Sequence, residues 1–386
     1  MDRETLYAIA QQFQLGGEVV AVEPFGTGLI HQTYRSTVQN AEGVRWYVHQ
    51  RLNQAVFRQP LFVLENMQRV TEHIRAKIAG TDGSDRNRKV TLRLVPARDG
   101  QPYYRDPAGE YWRTTMFITD AVTYDTIQHP QHAYEAGKTL GEFQRFVADL
   151  PPDELHDTLP GFHDTPQYFQ QFCAAVTMPQ PNPAIETRKQ EPQAQDLIQQ
   201  AQARAALADA LMAPWQVGLL PTRVVHNDPK INNILMDTHT QRGIGMIDLD
   251  TVKGGLAHFD FGDCLRSSAN PAGEETQDIA AVHFDLAIFE GIATGYLEIM
   301  RDVLTAAEIQ LLPQAIPVII FEQATRFLTD YLRGDVYYPH ITYPTQNLQR
   351  AAVQMALLAD VEQKMPAIQE IFHRLFGKKL PAHSSP

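Results

Sequence analysis

Between Arg223 and Asp237 the chain reads RVVHNDPKINNILMD, and the eight residues from His226 to Asn233 hold a histidine, an aspartate, a lysine and three asparagines. Further on, MIDLD places Asp248 at the end of an apolar run. Transfer of a phosphoryl group needs a carboxylate beside the attacking hydroxyl, a cation at the moving phosphate and oxygen ligands for Mg2+. Asp228, Lys230 and the pair Asn233 and Asp248 supply these in turn. In phosphoryl-transfer loops the catalytic aspartate precedes the metal-holding asparagine by five residues, the step from Asp228 to Asn233. His226 joins the catalytic candidates, with a hydrogen-bonding brace favoured over a proton carrier. Asp250 is the alternate metal ligand. The literal string DFG begins only at Asp260, after the glycine-rich turn KGGLAHF, so the metal is assigned to Asp248. Asp260 and Asp263 then take acceptor-side or structural duty. An ordinary turn would also account for HNDP, since Asn, Asp and Pro favour turns, but not for the spacing and the later IDLD together.

The elements that must hold these residues follow from periodicity. Residues 3–14 predict a short amphipathic helix, and EVVAVEPFGTGLIHQTYRSTVQ two strands joined by a glycine turn. VRWYVHQRLN predicts a third strand, and PLFVLENMQRVTEHIRAKIA a helix. Strand-like sequence returns at KVTLRLVPA, QPYYRD and EYWRTTMFI, with DPAG at 106–109 as a turn. Beyond Phe117 helical periodicity takes over, in 132–150, in Thr187 to Leu211 and through most of 277–333. Short strand-like runs at 224–225, 234–236 and 244–250 interrupt it around the polar loop. The class expected is α+β: a sheet-and-helix lobe over residues 1–118 and a larger helical lobe over 119–386. The segments 150–166 and 179–183 read as proline-rich surface loops, and KKLPAHSSP as a frayed tail.

Composition narrows the function classes. A chain of 386 residues exceeds the usual size of one core, so two lobes are natural. Its 44% hydrophobic and 20% charged residues, with a mean hydropathy of -0.30, are those of a soluble globular protein. A formal charge of -12 argues against nonspecific nucleic-acid binding and against an anionic membrane surface. The two cysteines, Cys173 and Cys264, lack metal-like spacing and read as reduced thiols. The charged start has no signal-peptide pattern, and the longest apolar runs are too short to span a bilayer, so a cytoplasmic location is expected.

In the first lobe, Gly26 and Gly28 occupy a hairpin tip where backbone N–H groups can approach phosphates, with His31 where a third glycine would complete the motif. The strand WYVHQR lacks the lysine that usually meets the nucleotide phosphates. Arg51, paired with Glu65 of the following helix, is the candidate substitute, although alternation leaves open whether Gln50 or Arg51 faces the cleft. MFITD joins the lobes, where the backbone of Phe117 and Ile118 would meet an adenine edge.

With these residues in place, the sequence resembles the aminoglycoside phosphotransferase and choline kinase group, which has a protein-kinase-like two-lobe fold. Within it, the chain looks like the N-acetylhexosamine 1-kinases, through YVHQRLNQAVFRQP with LENM, HNDPKINNILMD, MIDLDTVKGGLAHFDFGDCLRS and RFLTDYLRGDVYYPHITYPTQNLQRAAVQM. The resemblance implies transfer from ATP, with Mg2+, to the anomeric hydroxyl of a hexose or N-acetylhexosamine. By their place in these blocks, Asp260, Asp263, Arg266, Arg326, Asp330 and Tyr337 are the candidates for holding the sugar. Two other readings stand beside it: a kinase for an aminoglycoside or amino alcohol, and a silent kinase fold that binds nucleotide without transfer. The missing strand lysine favours the silent reading; the complete set Asp228, Lys230, Asn233 and Asp248 opposes it.

Overall fold

The computed structural model describes residues 1–26, 28, 30–80, 89–338 and 341–377. Helix α1 (Arg3–Ala10) is capped by Asp2, whose carboxylate accepts the Thr5 N–H, and it ends earlier than the expected residue 14. A five-stranded antiparallel sheet follows, with β1 (Glu18–Pro24), β2 (Gln32–Asn40), β3 (Gly43–Arg51), β4 (Tyr104–Arg105) and β5 (Tyr111–Met116) in the order β1-β2-β3-β5-β4. Alternation along β2 buries Tyr34, Ser36 and Val38, and with Tyr47, Trp112 and the apolar face of α1 they form the smaller core. The segment 89–97, expected as a strand, runs along the sheet through isolated bridges, Leu94 to Thr115 and Ala97 to Phe13. Pro96 cannot donate to a ladder, and the Val90 N–H is spent on Ile244 O in the other lobe. The turn at 106–109 is present: Asp106 accepts the N–H groups of Ala108 and Glu110, and Gly109 has φ +88°.

Helix α2 (Pro60–Gly80) faces two ways, since Val70 and Ile74 near its end belong to the larger core. That core is built by α3 (Pro130–Phe146), α4 (Thr165–Thr177), α5 (Pro192–Ala203), α6 (Ala257–Ser268), α7 (Leu286–Met300), α8 (Ala306–Arg333) and α9 (Gln346–Gly377). The helical pattern from Thr187 to Leu211 is broken: a 3-10 turn covers Thr187–Gln190, α5 begins at Pro192, and another 3-10 turn follows at Ala205–Ala208. Proline favours a first helical position, which sets the start of α5. Helices α3 and α7 approach closely because Gly137 and Gly295 leave no room for a Cβ, which would meet Ile292 O at 1.9 Å and Tyr134 O at 2.1 Å. Helix α8 starts on a capping box made by Thr305 and Glu308.

Two small sheets carry the polar loop. Strand β7 (Arg223–Val225) pairs with β10 (Lys253–Gly255), while β8 (Ile234–Asp237) lies between β6 (Ala121–Val122) and β9 (Gly243–Met246). The α+β architecture, an antiparallel sheet with a helix followed by a mainly helical part, is the one expected. Both cysteines are free thiols, Cys264 buried and Cys173 half-buried. No described helix is long and apolar enough to cross a membrane. The tail expected to fray, 378–386, lies outside the described residues.

Candidate active site

The loop between β7 and β8 is built around buried hydrogen bonds. The imidazole of His226, fully enclosed, bonds Ile247 O through Nε2 at 2.9 Å and accepts the Asp228 N–H through Nδ1 at 3.3 Å. Both ring nitrogens are therefore engaged, and His226, placed among the catalytic candidates, is a brace between the loop and β9. Beneath it lies Asp260 in the first turn of α6, with no solvent exposure. Its carboxylate accepts the N–H groups of His226 (2.9 Å) and Asn227 (2.7 Å) and the Gln144 amide (2.8 Å). Burial pushes this carboxyl up, against the nearby His226 and these donors. Asp260 was expected in acceptor-side or structural duty; its enclosure and three donors favour the structural one.

Above this base, Asp228, Lys230 and Asn233 converge. Asn233 Nδ2 donates to Asp228 O at 2.8 Å and to Asp228 Oδ2 at 3.2 Å, and Lys230 Nζ stands 3.0 Å from the same Oδ2. The charge of Asp228 holds the Lys230 ammonium well above its ordinary range, with a smaller contribution from Asp248. Asp248, two residues beyond β9, has φ +60°, in the left-handed region, and is exposed. Its carboxylate makes no hydrogen bond or ion pair among the described residues. Although the residue is exposed, the surrounding protein raises its carboxyl by desolvation, and the charges of Asp250 and Asp228 push it the same way. Asn233 keeps its Oδ1 free of hydrogen bonds among the described residues, while its backbone carbonyl receives the Ile247 N–H at 2.9 Å. An unpartnered carboxylate and a free amide oxygen, in a site with surplus negative charge, are the donor set that a hard divalent cation such as Mg2+ takes.

Asp250, the alternate metal ligand, is spent elsewhere. It is buried, chelated by both terminal nitrogens of Arg113 on β5, and bonded by His31 Nε2 at 2.5 Å. Burial alone would raise its carboxyl, but the charge of Arg113 and the hydrogen bonds from His31 and Arg113 outweigh burial and hold it well below the usual range.

Two expectations in the first lobe are corrected. On β3 the side chains of Tyr47 and His49 face the smaller core and Gln50 faces the other way, where Oε1 accepts from Arg113 Nε at 2.9 Å. Alternation therefore puts Arg51 on the side away from this cluster. Glu65 does not meet Arg51; it is exposed and bonds His156 at 2.6 Å. Its neighbour Asn66 is the buried α2 residue, donating to Val252 O at 3.0 Å and His156 O at 2.8 Å and accepting the His156 N–H at 2.9 Å. Gly26 has φ +75°, and a Cβ at Gly26 or Gly28 would meet nothing within 4 Å, so the β1–β2 tip is open to an incoming group. Phe117 packs on Phe25 and Trp46 under the Arg35 guanidinium, and its N–H reaches Trp46 O. The Ile118 backbone enters no hydrogen bond among the described residues.

On the far side of the loop lies a group of buried charged residues. The Asp263 carboxylate bears on Lys230 and on His163, and His163 bonds Asn227 O at 3.1 Å and Glu322 at 3.0 Å. Glu322 lies 3.8 Å from Arg326. Asp263 also pairs with Arg266 at 2.7 Å, and Arg266 with Glu274 at 2.6 Å. Arg326 is surrounded by the rings of Tyr168, Phe162, Tyr337 and Tyr338 at 4.7, 5.1, 5.8 and 5.9 Å. Tyr337 is exposed, with its hydroxyl 3.5 Å from Arg326. Asp330, expected to touch the sugar, is buried and saturated by the N–H groups of Val336, Tyr337 and Tyr338 and by Asn347; it shapes the turn that presents Tyr337. Sequence reasoning missed Arg113, Asn66, His163 and Glu322; the available signal was a charged or amide residue on a face that periodicity assigns to the interior.

The fold recurs in known proteins. A microcompartment-associated aminopropanol kinase superposes with a TM-score of 0.59 at 17% identity, over 95% of this chain and 98% of that one. A choline kinase from Cryptosporidium parvum Iowa II gives 0.57 at 14% identity over 95% and 97%. A spectinomycin phosphotransferase solved with ADP and spectinomycin gives 0.57 at 11% identity over 94% and 99%. The chain therefore has the protein-kinase-like fold of aminoglycoside phosphotransferases and choline kinases. Residues 21–293, which include the β1–β2 tip, Asp228, Asn233 and Asp248, match the model of the phosphotransferase enzyme family, and the chain belongs to that family.

Proposed function

We propose that this phosphotransferase moves the γ-phosphoryl group of ATP to the anomeric hydroxyl of a hexose or N-acetylhexosamine, giving a sugar 1-phosphate, as the N-acetylhexosamine 1-kinases it resembles do. The nucleotide lies between residues 1–118 and 119–386, its adenine at the free backbone of Ile118 beside Phe117 and its phosphates under Gly26 and Gly28. Asn233 and Asp248 hold Mg2+, which neutralises charge on the phosphates and aligns them. Asp228, one carboxylate oxygen already turned toward Lys230 and Asn233, orients the sugar hydroxyl and takes its proton as the oxygen attacks. Lys230 offsets the charge on the transferring group. The observation that carries the transfer chemistry is the convergence of Asp228, Lys230 and Asn233 within the field of an exposed, unpartnered Asp248.

The acceptor sits along the charged group from Asp263 to Arg326, with Arg266 behind Asp263 and the exposed Tyr337 ring beside it. One feature separates this site from a receptor for amine acceptors such as choline or aminopropanol. Aromatic rings grouped around a pocket attract a cationic ligand, but here Arg326 already fills the group. Hydroxyl-rich neutral sugars are favoured by the amide, carboxylate and guanidinium groups that remain.

Phosphorus NMR of the products formed from ATP, Mg2+ and a panel of hexoses, N-acetylhexosamines, aminoglycosides and amino alcohols tests this reading. A sugar 1-phosphate from a hexose or N-acetylhexosamine is the expected product. Phosphorylation of the amines but of no free sugar refutes it, as does transfer to none while Asp228→Asn behaves like the unaltered protein.

A further inference from the structure

Protein kinases join their lobes through a lysine on the third strand and a glutamate on the following helix, and both must be in place for the metal and phosphates to align. This chain lacks the pair: β3 carries Gln50, and Glu65 on α2 turns to His156. A different pair spans the same gap. Arg113 lies directly across from Gln50 in the β3–β5 register, so the cation has moved one strand over. Its Nε is held by Gln50, and its terminal nitrogens chelate Asp250, 137 residues away in the other lobe. Both partners are 2% exposed. The bidentate geometry fixes angle as well as distance, which a lysine would not do.

Asp250 is the second residue after Asp248 and lies in the turn Leu249–Thr251 that follows the left-handed residue. A non-glycine residue in that region is strained and persists only where its surroundings over-determine it. The surroundings here are these partners: Arg113 and His31 on the Asp250 carboxylate, Thr158 on Asp250 O, Asn227 on Thr251 O and Asn66 on Val252 O. His31 closes the glycine tip onto the same carboxylate; its Nδ1 accepts the Asn53 N–H, so its proton lies on Nε2 and is donated to Asp250. Among these contacts Arg113 is the only fixed cation, and it comes from the sheet of the first lobe.

We propose that Arg113 and Asp250 replace the lysine–glutamate pair, and that Arg113 is a positioning residue that acts through Asp250 to aim Asp248 at the metal. The proposal rests on the phosphotransferase reading of Asp248, and makes no use of which acceptor is phosphorylated. All three hydrogen bonds of Arg113 among the described residues are to Gln50 and Asp250, and the side chain is enclosed, so it is committed to the protein rather than to a phosphate.

The test is calorimetric titration of the full chain with ADP, with and without saturating Mg2+. For the unaltered protein Mg2+ strengthens ADP binding. In Arg113→Met that enhancement falls about tenfold, while metal-free affinity stays within about twofold. Arg113→Lys restores part of it, and in turnover both variants raise the KM for MgATP and the Mg2+ requirement while leaving the acceptor KM unchanged. Equal weakening with and without Mg2+ overturns the proposal, because it means that Arg113 touches phosphate or merely supports the fold. If Arg113→Met does not fold, Asp250→Asn, which keeps the shape and removes the charge, must show the same selective loss; intact enhancement there also overturns it. If the unaltered protein shows no Mg2+ enhancement, the metal assignment itself fails, an outcome distinct from either of these.

Discussion

Replacing Asp260 by asparagine distinguishes a residue that holds the catalytic loop from one that touches the acceptor. The carboxylate receives three donors in a site without solvent: the backbone N–H groups of His226 and Asn227 and the amide of Gln144. An asparagine keeps one acceptor oxygen, and its own NH2 must face at least one of those donors. Leaving a buried donor unsatisfied costs about 1–3 kcal/mol, and hydrogen bonds to a charged acceptor are worth about 1.5–3 kcal/mol, so a loss of about 2–4 kcal/mol is expected. Domains commonly have about 5–15 kcal/mol in hand, so the variant folds but with a lower urea midpoint. The disturbed amides belong to the two residues before Asp228, and a misplacement of about 1 Å at a reacting group can cost about a hundredfold in rate. Turnover of Asp260→Asn should therefore fall about 10- to 100-fold, with the KM values for ATP and acceptor within about threefold of the unaltered protein. Urea unfolding and steady-state kinetics together decide it. An unchanged urea midpoint with a rise confined to the acceptor KM refutes the structural role and returns Asp260 to the sugar.

Asp228→Asn should lower kcat by about 10²–10⁴-fold while calorimetric affinity for ADP is kept; a loss confined to nucleotide affinity contradicts its role as base. Asp248→Asn should raise the Mg2+ concentration needed for half-maximal rate, and an unaltered Mg2+ dependence would move the metal elsewhere. Arg326→Met empties the aromatic group around the guanidinium, so choline or tetramethylammonium should bind the variant and not the parent, by calorimetry; no gain of amine binding refutes the exclusion argument. Burial pushes His49 and His258 down to about 4. The unfolded chain gains protons at these sites as pH falls below about 6.5, so stability is complete above that value and drains away toward pH 4, by about 2 kcal/mol per histidine at pH 5. His49→Gln should flatten the urea-midpoint profile between pH 7 and 5, and a profile parallel to the parent's refutes the neutral, buried state.

What could be read from the sequence was local. The step from Asp228 to Asn233 is five residues of one loop, and period-2 or helical patterning marked β1 to β3, β5, α2, α3 and α8 because each element repeats its own signal. The strand expected at 89–97 failed on one residue-level conflict: its apolar alternation was right for an edge, but Pro96 and the cross-lobe bond of Val90 prevent a continuous ladder. The link between lobes failed differently. Arg113 and Asp250 are 137 residues apart, and nothing in either neighbourhood names the other. Parity could not choose between Gln50 and Arg51 without knowing which face of β3 meets the cleft.

A weaker signal was nonetheless present. On α2 the buried positions 63, 67, 70 and 74 define one stripe, and Asn66 falls within it, three residues after Val63 and four before Val70, whereas Glu65 lies off it. On β5 a charged residue, Arg113, stands between Trp112 and Thr114 in a strand buried along four consecutive positions. Helix α6 is buried at eleven of its twelve residues although half of them are polar, so Asp260 within it had to find its partners inside the protein. A polar group on an interior face is costly to bury and must be satisfied there, so it identifies a residue that fastens one element to another. Reading Asn66, Arg113 and Asp260 by that rule, rather than by likeness to a lysine, a glutamate or a DFG string, assigns all three to holding the loops that carry Asp228 and Asp248.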